Sequence, residues 1–168
     1  MHQLADRLNR LSESATLKMA RLSRELKDKG EDIINLSLGE PDFDTPQHIK
    51  DAGIKAIQDG FTSYPPVPGY PDLREAVVQK YQRDLNLHYN ANQVLVSTGA
   101  KQCLINIMLS LVNESDEVIV PAPYWVSYPE MISLAEGEMV NIHTTVDDDY
   151  QITPQQLEEA ITGRTKIF

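Results

Sequence analysis

From Val94 onward the chain alternates short apolar runs with helix-length amphipathic segments, and this alternation restricts the fold more than any other feature of its 168 residues. The expected elements are a strand over 94–96, a helix over 100–112, a strand over 117–120, a helix over about 125–135, a strand over 138–144, a helix over about 154–161 and a strand opening at Thr165. Strands separated by helices pair in parallel, through right-handed crossovers that place the helices on the sheet faces. The fold class is therefore α/β: the start of a three-layer sandwich with a mostly parallel sheet, preceded by N-terminal helices. Thr165-Lys166-Ile167-Phe168 has no turn signal or closing helix after it, so the domain is expected to be interrupted at Phe168.

Before Val94 the pattern is less regular. Leu4, Leu8 and Leu11 share one helical face, and a second amphipathic stretch from about Thr16 carries Leu22 and Leu26 before stopping at Gly30. Residues 32–38 read as a short strand. The polar connector SLGEPDFDTP follows, with Thr45 as the expected N-cap and Pro46 as the first helical residue of a helix burying Ile49, Ala52, Ala56 and Ile57. In FTSYPPVPGYPDL, four prolines and one glycine forbid regular structure and require an exposed loop. A helix from about Pro71 then presents Leu73, Ala76, Val77 and Tyr81 to a core.

Composition excludes several functions. A formal net charge of −10 repels a phosphate backbone, and no basic run is interleaved with aromatics, so nucleic acid is not an expected partner. The single cysteine, Cys103, allows no internal disulfide or cysteine-based zinc cage and reads as a core thiol, which favours a cytoplasmic location. The start lacks the continuous apolar core of a secretory signal, and no run approaches transmembrane length, so no membrane association is expected. His2, His48, His88 and His143 lack metal-ligand spacing, and Asp147-Asp148-Asp149 reads as a solvated loop. No metal site is expected. The GxSxG, Walker and GxGxxG motifs are all missing from the sequence.

The turn Ser97-Thr98-Gly99-Ala100-Lys101-Gln102 joins an apolar run directly to a helix. The first N–H groups of a helix have no partner within it, and the macrodipole adds positive charge there. A glycine at such a turn lets an anion approach the backbone, although many strand-to-helix turns carry glycine only to reverse the chain. Turns leaving the C-terminal ends of parallel strands open on one side, where ligands bind. The next strand delivers Pro121-Ala122-Pro123-Tyr124-Trp125 to that side. Trp125 could stack on a flat ring, worth about 1 kcal/mol beyond area burial, or simply begin a helix and pack on the core.

Four motifs in order, SLGEPDFDTP, YPPVPGYPDLREAV, VSTGAKQ and VPAPYWVSYPEM, identify the chain as resembling the fold-type I pyridoxal-phosphate aminotransferases, closest to the bacterial aspartate branch. The resemblance implies the pyridoxal-phosphate transferase fold, with residues 1–45 contributing to a small domain and dimer contacts and 46–168 forming the first half of a large cofactor domain. It implies that Gly39 meets the substrate α-carboxylate, and that Tyr64 crosses a homodimer interface to the cofactor phosphate of the partner. Gly99, Ala100 and Lys101 would lie over that phosphate, and Trp125 would stack on the pyridine ring against the substrate. Thr16 and Lys101 would hold the distal carboxylate of a dicarboxylic substrate; Lys101 supporting only the phosphate is the alternative.

The resemblance also implies what the sequence lacks. The Schiff-base lysine, the acid beside the pyridinium nitrogen and the arginine fork for the α-carboxylate would all lie beyond Phe168, so no catalytic residue is assigned here. Lys55, Lys80 and Lys166 have no matching motif around them. The activity implied for the complete protein is transfer of the amino group of aspartate, or a similar dicarboxylic amino acid, to 2-oxoglutarate, with the 168-residue chain inactive by itself. Prephenate is an alternative substrate. A non-catalytic binding protein using the phosphate cradle is the alternative of another class.

Overall fold

The computed structural model describes residues 4–36 and 39–168. A 3-10 helix over Asp6–Arg10 precedes α1 (Ala15–Asp28), α2 (Gln47–Gln58), α3 (Pro71–Leu85) and α4 (Gly99–Leu111). The chain then runs through β1 (Glu117–Ala122), α5 (Ser127–Leu134), β2 (Glu138–His143), α6 (Pro154–Ala160) and β3 (Thr165–Ile167). Contacts divide it into two compact units, Met1–Gly39 with Leu104–Phe168, and Glu40–Cys103.

The first unit holds the sheet. Its order is β2-β1-β3, and β1 pairs in parallel with both neighbours. Residues pair from Glu117 with Glu138 through Ala122 with His143. Strand alternation sorts the side chains of β1. Val118 and Val120 join Met108 from α4, Val112 just after it, and Met131 and Ile132 from α5 in one core, with Ala135, Met139 and Ile167 around them. Ile119 and Ile142 are buried as well and lie outside that cluster, on the opposite face. The deepest side chains, Val118 and Ile132, each contribute about 1.5–3 kcal/mol by leaving water. The parallel α/β architecture expected is thus present over residues 117–168, with α5 and α6 both packed on β2.

At the N-terminal end of β1, Glu117 is only 4% exposed. Its carboxylate accepts from Thr162 Oγ1, from the Arg164 guanidinium and, at 3.5 Å, from Thr165 Oγ1. The Thr162 hydrogen bond first, then the charge of Arg164, hold this carboxyl below its ordinary value of 4.5 against the opposing effect of desolvation. A depressed folded-state value means that the stabilisation is complete above the unfolded-state value and lost as pH falls through the folded one. We expect Glu117→Gln to lower the urea midpoint at pH 7 and the two midpoints to converge in more acidic solution. Equal separation of the midpoints at every pH would contradict this account.

Several sequence expectations are corrected. Residues 32–36 pair with no strand among the described residues, with Ile34 and Leu36 85% and 89% exposed; Ser37 and Leu38, the rest of that expected strand, lie outside the described residues. The run over 94–96 is likewise unpaired as a strand. Its Val96 N–H donates instead to the Pro68 carbonyl at 3.0 Å, in the second unit. β-branched residues supply a preference for extended backbone, but a strand exists only where another strand takes its hydrogen bonds.

The helices of the second unit start and bury differently from expectation. Pro46 flanks α2 as an extended N-cap residue, so Thr45 is not the cap and Pro46 is not helical. Ile49, Ile54 and Ile57 on α2 are 51%, 53% and 71% exposed, and Ala52 is exposed too; only Ala56 of the expected buried set is half-buried. Amphipathic spacing specifies an apolar stripe but not what covers it. On α3 the half-buried residues are Arg74, Val77 and Val78, while Leu73, Ala76 and Tyr81 are exposed. Cys103 is half-buried rather than fully enclosed.

Near the N-terminus, the expected Leu4/Leu8/Leu11 helix shortens to the 3-10 turn, leaving Leu4 and Leu8 exposed and Leu11 half-buried. The second helix begins at Ala15 and is capped by Ser14, whose side chain accepts from the Leu17 N–H. The helix expected from about residue 125 begins at Ser127. The preceding strand runs two residues further than expected, to Ala122.

Candidate functional site

In the second unit the decisive residue is Gly99, the first of α4, with φ +79. That left-handed backbone is rarely adopted by L side chains, so glycine is required by conformation. Nothing lies within 4 Å of where a Cβ on Gly99 would stand. Backbone is therefore open to solvent at the helix start, and Gly99, Ala100 and Lys101 are all exposed. The Gly99 N–H donates to the Ser97 carbonyl at 2.9 Å, closing the turn. The Thr98 N–H donates to Gln102 Oε1 at 2.7 Å. Gln102 was not singled out from sequence; its signal is a glutamine one position beyond the usual capping-box spacing.

The proline-rich loop belongs to the same unit and is tied to this turn. Besides the hydrogen bond from Val96 to Pro68, Gly69 at φ +97 brings its backbone against the Val96 side chain, where a Cβ would stand 2.6 Å from Cγ2. The Gly69 N–H donates to Pro66 at 2.8 Å, and the rings of Phe61 and Tyr70 meet edge to face. Tyr64 projects from this loop fully exposed. Its environment is solvent, as the exposed-loop expectation requires.

In the first unit, β1 ends at Ala122 and a cis bond leads to Pro123. Thr144, just past β2, donates through Oγ1 to the Ala122 carbonyl and so fastens the turn to the neighbouring strand. Tyr124 then packs against the core, while Trp125 is 42% exposed and meets Tyr128 edge to face at 5.7 Å. Tyr128, the ring that Trp125 meets, packs against the core as Tyr124 does. Trp125 is also held through its carbonyl, which accepts from the Tyr128 N–H at 3.0 Å.

Two further expected residues lie in this unit. Thr16 is the second residue of α1 and half-buried. Gly39 is exposed with no heavy atom near a would-be Cβ. Sequence reasoning missed a tie between distant segments. Ser12 donates to both carboxylate oxygens of Glu130 on α5, from its N–H at 3.0 Å and from its hydroxyl. Among the described residues no cluster of metal-binding side chains occurs, and no helix is long and apolar enough to cross a membrane.

A parallel sheet with helices packed against it places the chain in the α/β class. The chain belongs to the aminotransferase class I and II family, whose family model matches residues 31–168. It is 46% identical over 166 residues to an aspartate/prephenate aminotransferase of Nitrosomonas europaea, covering 99% of this chain and 42% of that protein. An aspartate aminotransferase of Geobacillus stearothermophilus is 48% identical over 164 residues, with 98% and 42% covered. The structure matches that of Thermus thermophilus aspartate aminotransferase with maleate at a TM-score of 0.94 and 40% identity, covering 99% of this chain and 44% of that one. The chain therefore spans less than half the length of these relatives.

Proposed function

We propose that the whole protein carrying this chain is a pyridoxal-phosphate aminotransferase that moves the amino group of aspartate, or a similar dicarboxylic amino acid, to 2-oxoglutarate. The observation that carries this reading is the open, left-handed Gly99 at the start of α4, in a chain belonging to the aminotransferase family. A cofactor phosphate fits there on chemical grounds: the start of a helix offers N–H donors and positive potential to an anion, and glycine leaves no side chain in the way. The exposed face of Trp125 fits a flat heteroaromatic ring. Pyridoxal phosphate, when bound, supplies the electron sink that makes the amino acid Cα–H acidic.

The chain's own residues then have distinct tasks. Gly99 leaves the phosphate room to approach, Ala100 holds it through backbone, Lys101 adds positive charge beside it, and Tyr64 serves the phosphate site of the second subunit in a homodimer. Trp125 orients the ring and shields one face from water. Gly39 leaves room for the substrate α-carboxylate, while Thr16 and Lys101 favour a substrate with a distal carboxylate. Residues 1–45 join the small domain and dimer contacts, and 46–168 form the first half of the large domain. The proton-shuttling lysine, the acid at the ring nitrogen and the carboxylate-binding arginine come from the remainder of the whole protein, which works in the cytoplasm.

The Nitrosomonas europaea relative is named for prephenate as well as aspartate. This favours prephenate, which also carries two carboxylates, as a second substrate. The test is steady-state amino transfer by the whole protein with aspartate, prephenate or alanine as the partner substrate. A kcat/KM at least about tenfold higher with a dicarboxylic substrate than with alanine is expected, because a desolvated charge pair contributes more than about 1.4 kcal/mol. Equal use of alanine would overturn the dicarboxylate assignment.

A further inference from the structure

The 3-10 helix over Asp6–Arg10 packs on α5, and the segment after it is fastened to that same helix by a two-point clamp. Ser12 spends both of its donors, backbone N–H and hydroxyl, on the two oxygens of the Glu130 carboxylate, across 118 residues of sequence. Arg10 and Glu136 add an exposed ion pair at 3.7 Å, which at that distance and exposure contributes little. The Glu130 clamp is different in kind. Hydrogen bonds to a charged acceptor are roughly twice as strong as neutral ones, and two of them fix an orientation that one cannot.

Both ends of the clamp sit next to residues that matter for the proposed site. Ser12 lies two residues before Ser14, the cap of α1, and four before Thr16 in its first turn. Glu130 lies in the first turn of α5, the helix that begins immediately after the turn carrying Trp125. We propose that Glu130 is a positioning residue: by clamping Ser12 it sets the start of α1, and so Thr16, against the element that carries Trp125. This rests on the reading that Thr16 meets the distal carboxylate and Trp125 the cofactor ring. Glu130 itself touches neither substrate nor cofactor. It governs substrate choice by fixing where the N-terminal segment begins its helix.

The test uses the whole protein and five variants. Glu130→Gln replaces a two-oxygen charged acceptor by an amide with one acceptor oxygen, and is expected to raise the KM for aspartate and the Kd for succinate by about tenfold. The KM for alanine, which lacks a distal carboxylate, and the kcat for aspartate are expected to stay within about twofold. Ser12→Ala gives a smaller rise in the same direction, Ser12→Thr restores wild-type behaviour, and Ser12→Ala with Glu130→Gln is no worse than Glu130→Gln alone, as one shared interaction requires. A parallel rise for aspartate and alanine, or no rise for either, would overturn the proposal. Thr16→Val separates this from failure of the underlying reading. If Thr16→Val leaves the aspartate KM unchanged, the Thr16 assignment fails. If it raises the KM while Glu130→Gln does not, the clamp proposal alone fails. Amide hydrogen exchange over residues 12–20 gives a readout independent of turnover: faster exchange in Glu130→Gln is expected, and unchanged exchange would contradict the clamp.

Discussion

Gly99→Val is expected to lower the affinity of the whole protein for pyridoxal phosphate by about a hundredfold or more, the largest single effect the structure supports. Two causes act together. A β-branched residue at φ +79 is strained by more than about 1 kcal/mol, which pulls the first turn of α4 away from its present course. The new side chain also occupies the open space above the backbone, where nothing now stands within 4 Å. An anion seated over that helix start would be displaced. Because no protein atom is crowded, the fold itself survives. Equilibrium dialysis of the variant against pyridoxal phosphate, with circular dichroism to confirm folding, checks this. Gly99→Ala should fall between the two, since its Cβ brings the backbone strain with little of the bulk. Wild-type affinity in a folded Gly99→Val protein would mean that the phosphate sits elsewhere.

Trp125→Ala carries the second-largest expected effect, a fall of about thirtyfold in kcat/KM for aspartate. The magnitude combines about 1 kcal/mol of ring stacking with a similar contribution from apolar area covered on binding. Tyr124, one position earlier, belongs to the core, so the two aromatics have separate duties. Removing Trp125 removes a half-exposed ring and should cost little stability, whereas removing Tyr124 should destabilise the unit. Trp125→Phe keeps a flat face and should recover most of the rate. The observation to make is kcat/KM and the unfolding midpoint on the same preparations. A Trp125→Ala protein with wild-type turnover and lowered stability would return this residue to the core.

The parts of the fold that were legible from sequence are those whose pattern and partners both lie within the chain. The crossovers from β1 to β3 are such a case: Val118 and Val120 find α4 and α5, and the parallel register follows. The expected strands over 32–38 and 94–96 have the right composition, but composition cannot supply the neighbour that a strand needs. The stripe on α2 fails for the same reason, since Ile49 and Ile57 are spaced for burial and remain exposed.

At the candidate site, sequence located the glycine turn, and the structure added its positive φ and its open face. Sequence left Trp125 between two roles, and the structure adds that it is 42% exposed and meets Tyr128, while Tyr124 packs on the core. Thr144, Gln102 and the Ser12–Glu130 clamp were not legible. Thr144 and the clamp act through hydrogen bonds between residues far apart in sequence, which carry no periodic signal, and Gln102 stands one position off the usual capping-box spacing.

The central claim is that these residues form half of a cofactor cradle in an enzyme that transfers amino groups. Its most direct test is to load the whole protein with pyridoxal phosphate, supply aspartate labelled with nitrogen-15 together with unlabelled 2-oxoglutarate, and measure the label in glutamate. The label in glutamate is expected to match the aspartate consumed, with none when pyridoxal phosphate is left out. A protein that binds pyridoxal phosphate stoichiometrically yet moves no label into glutamate would contradict it.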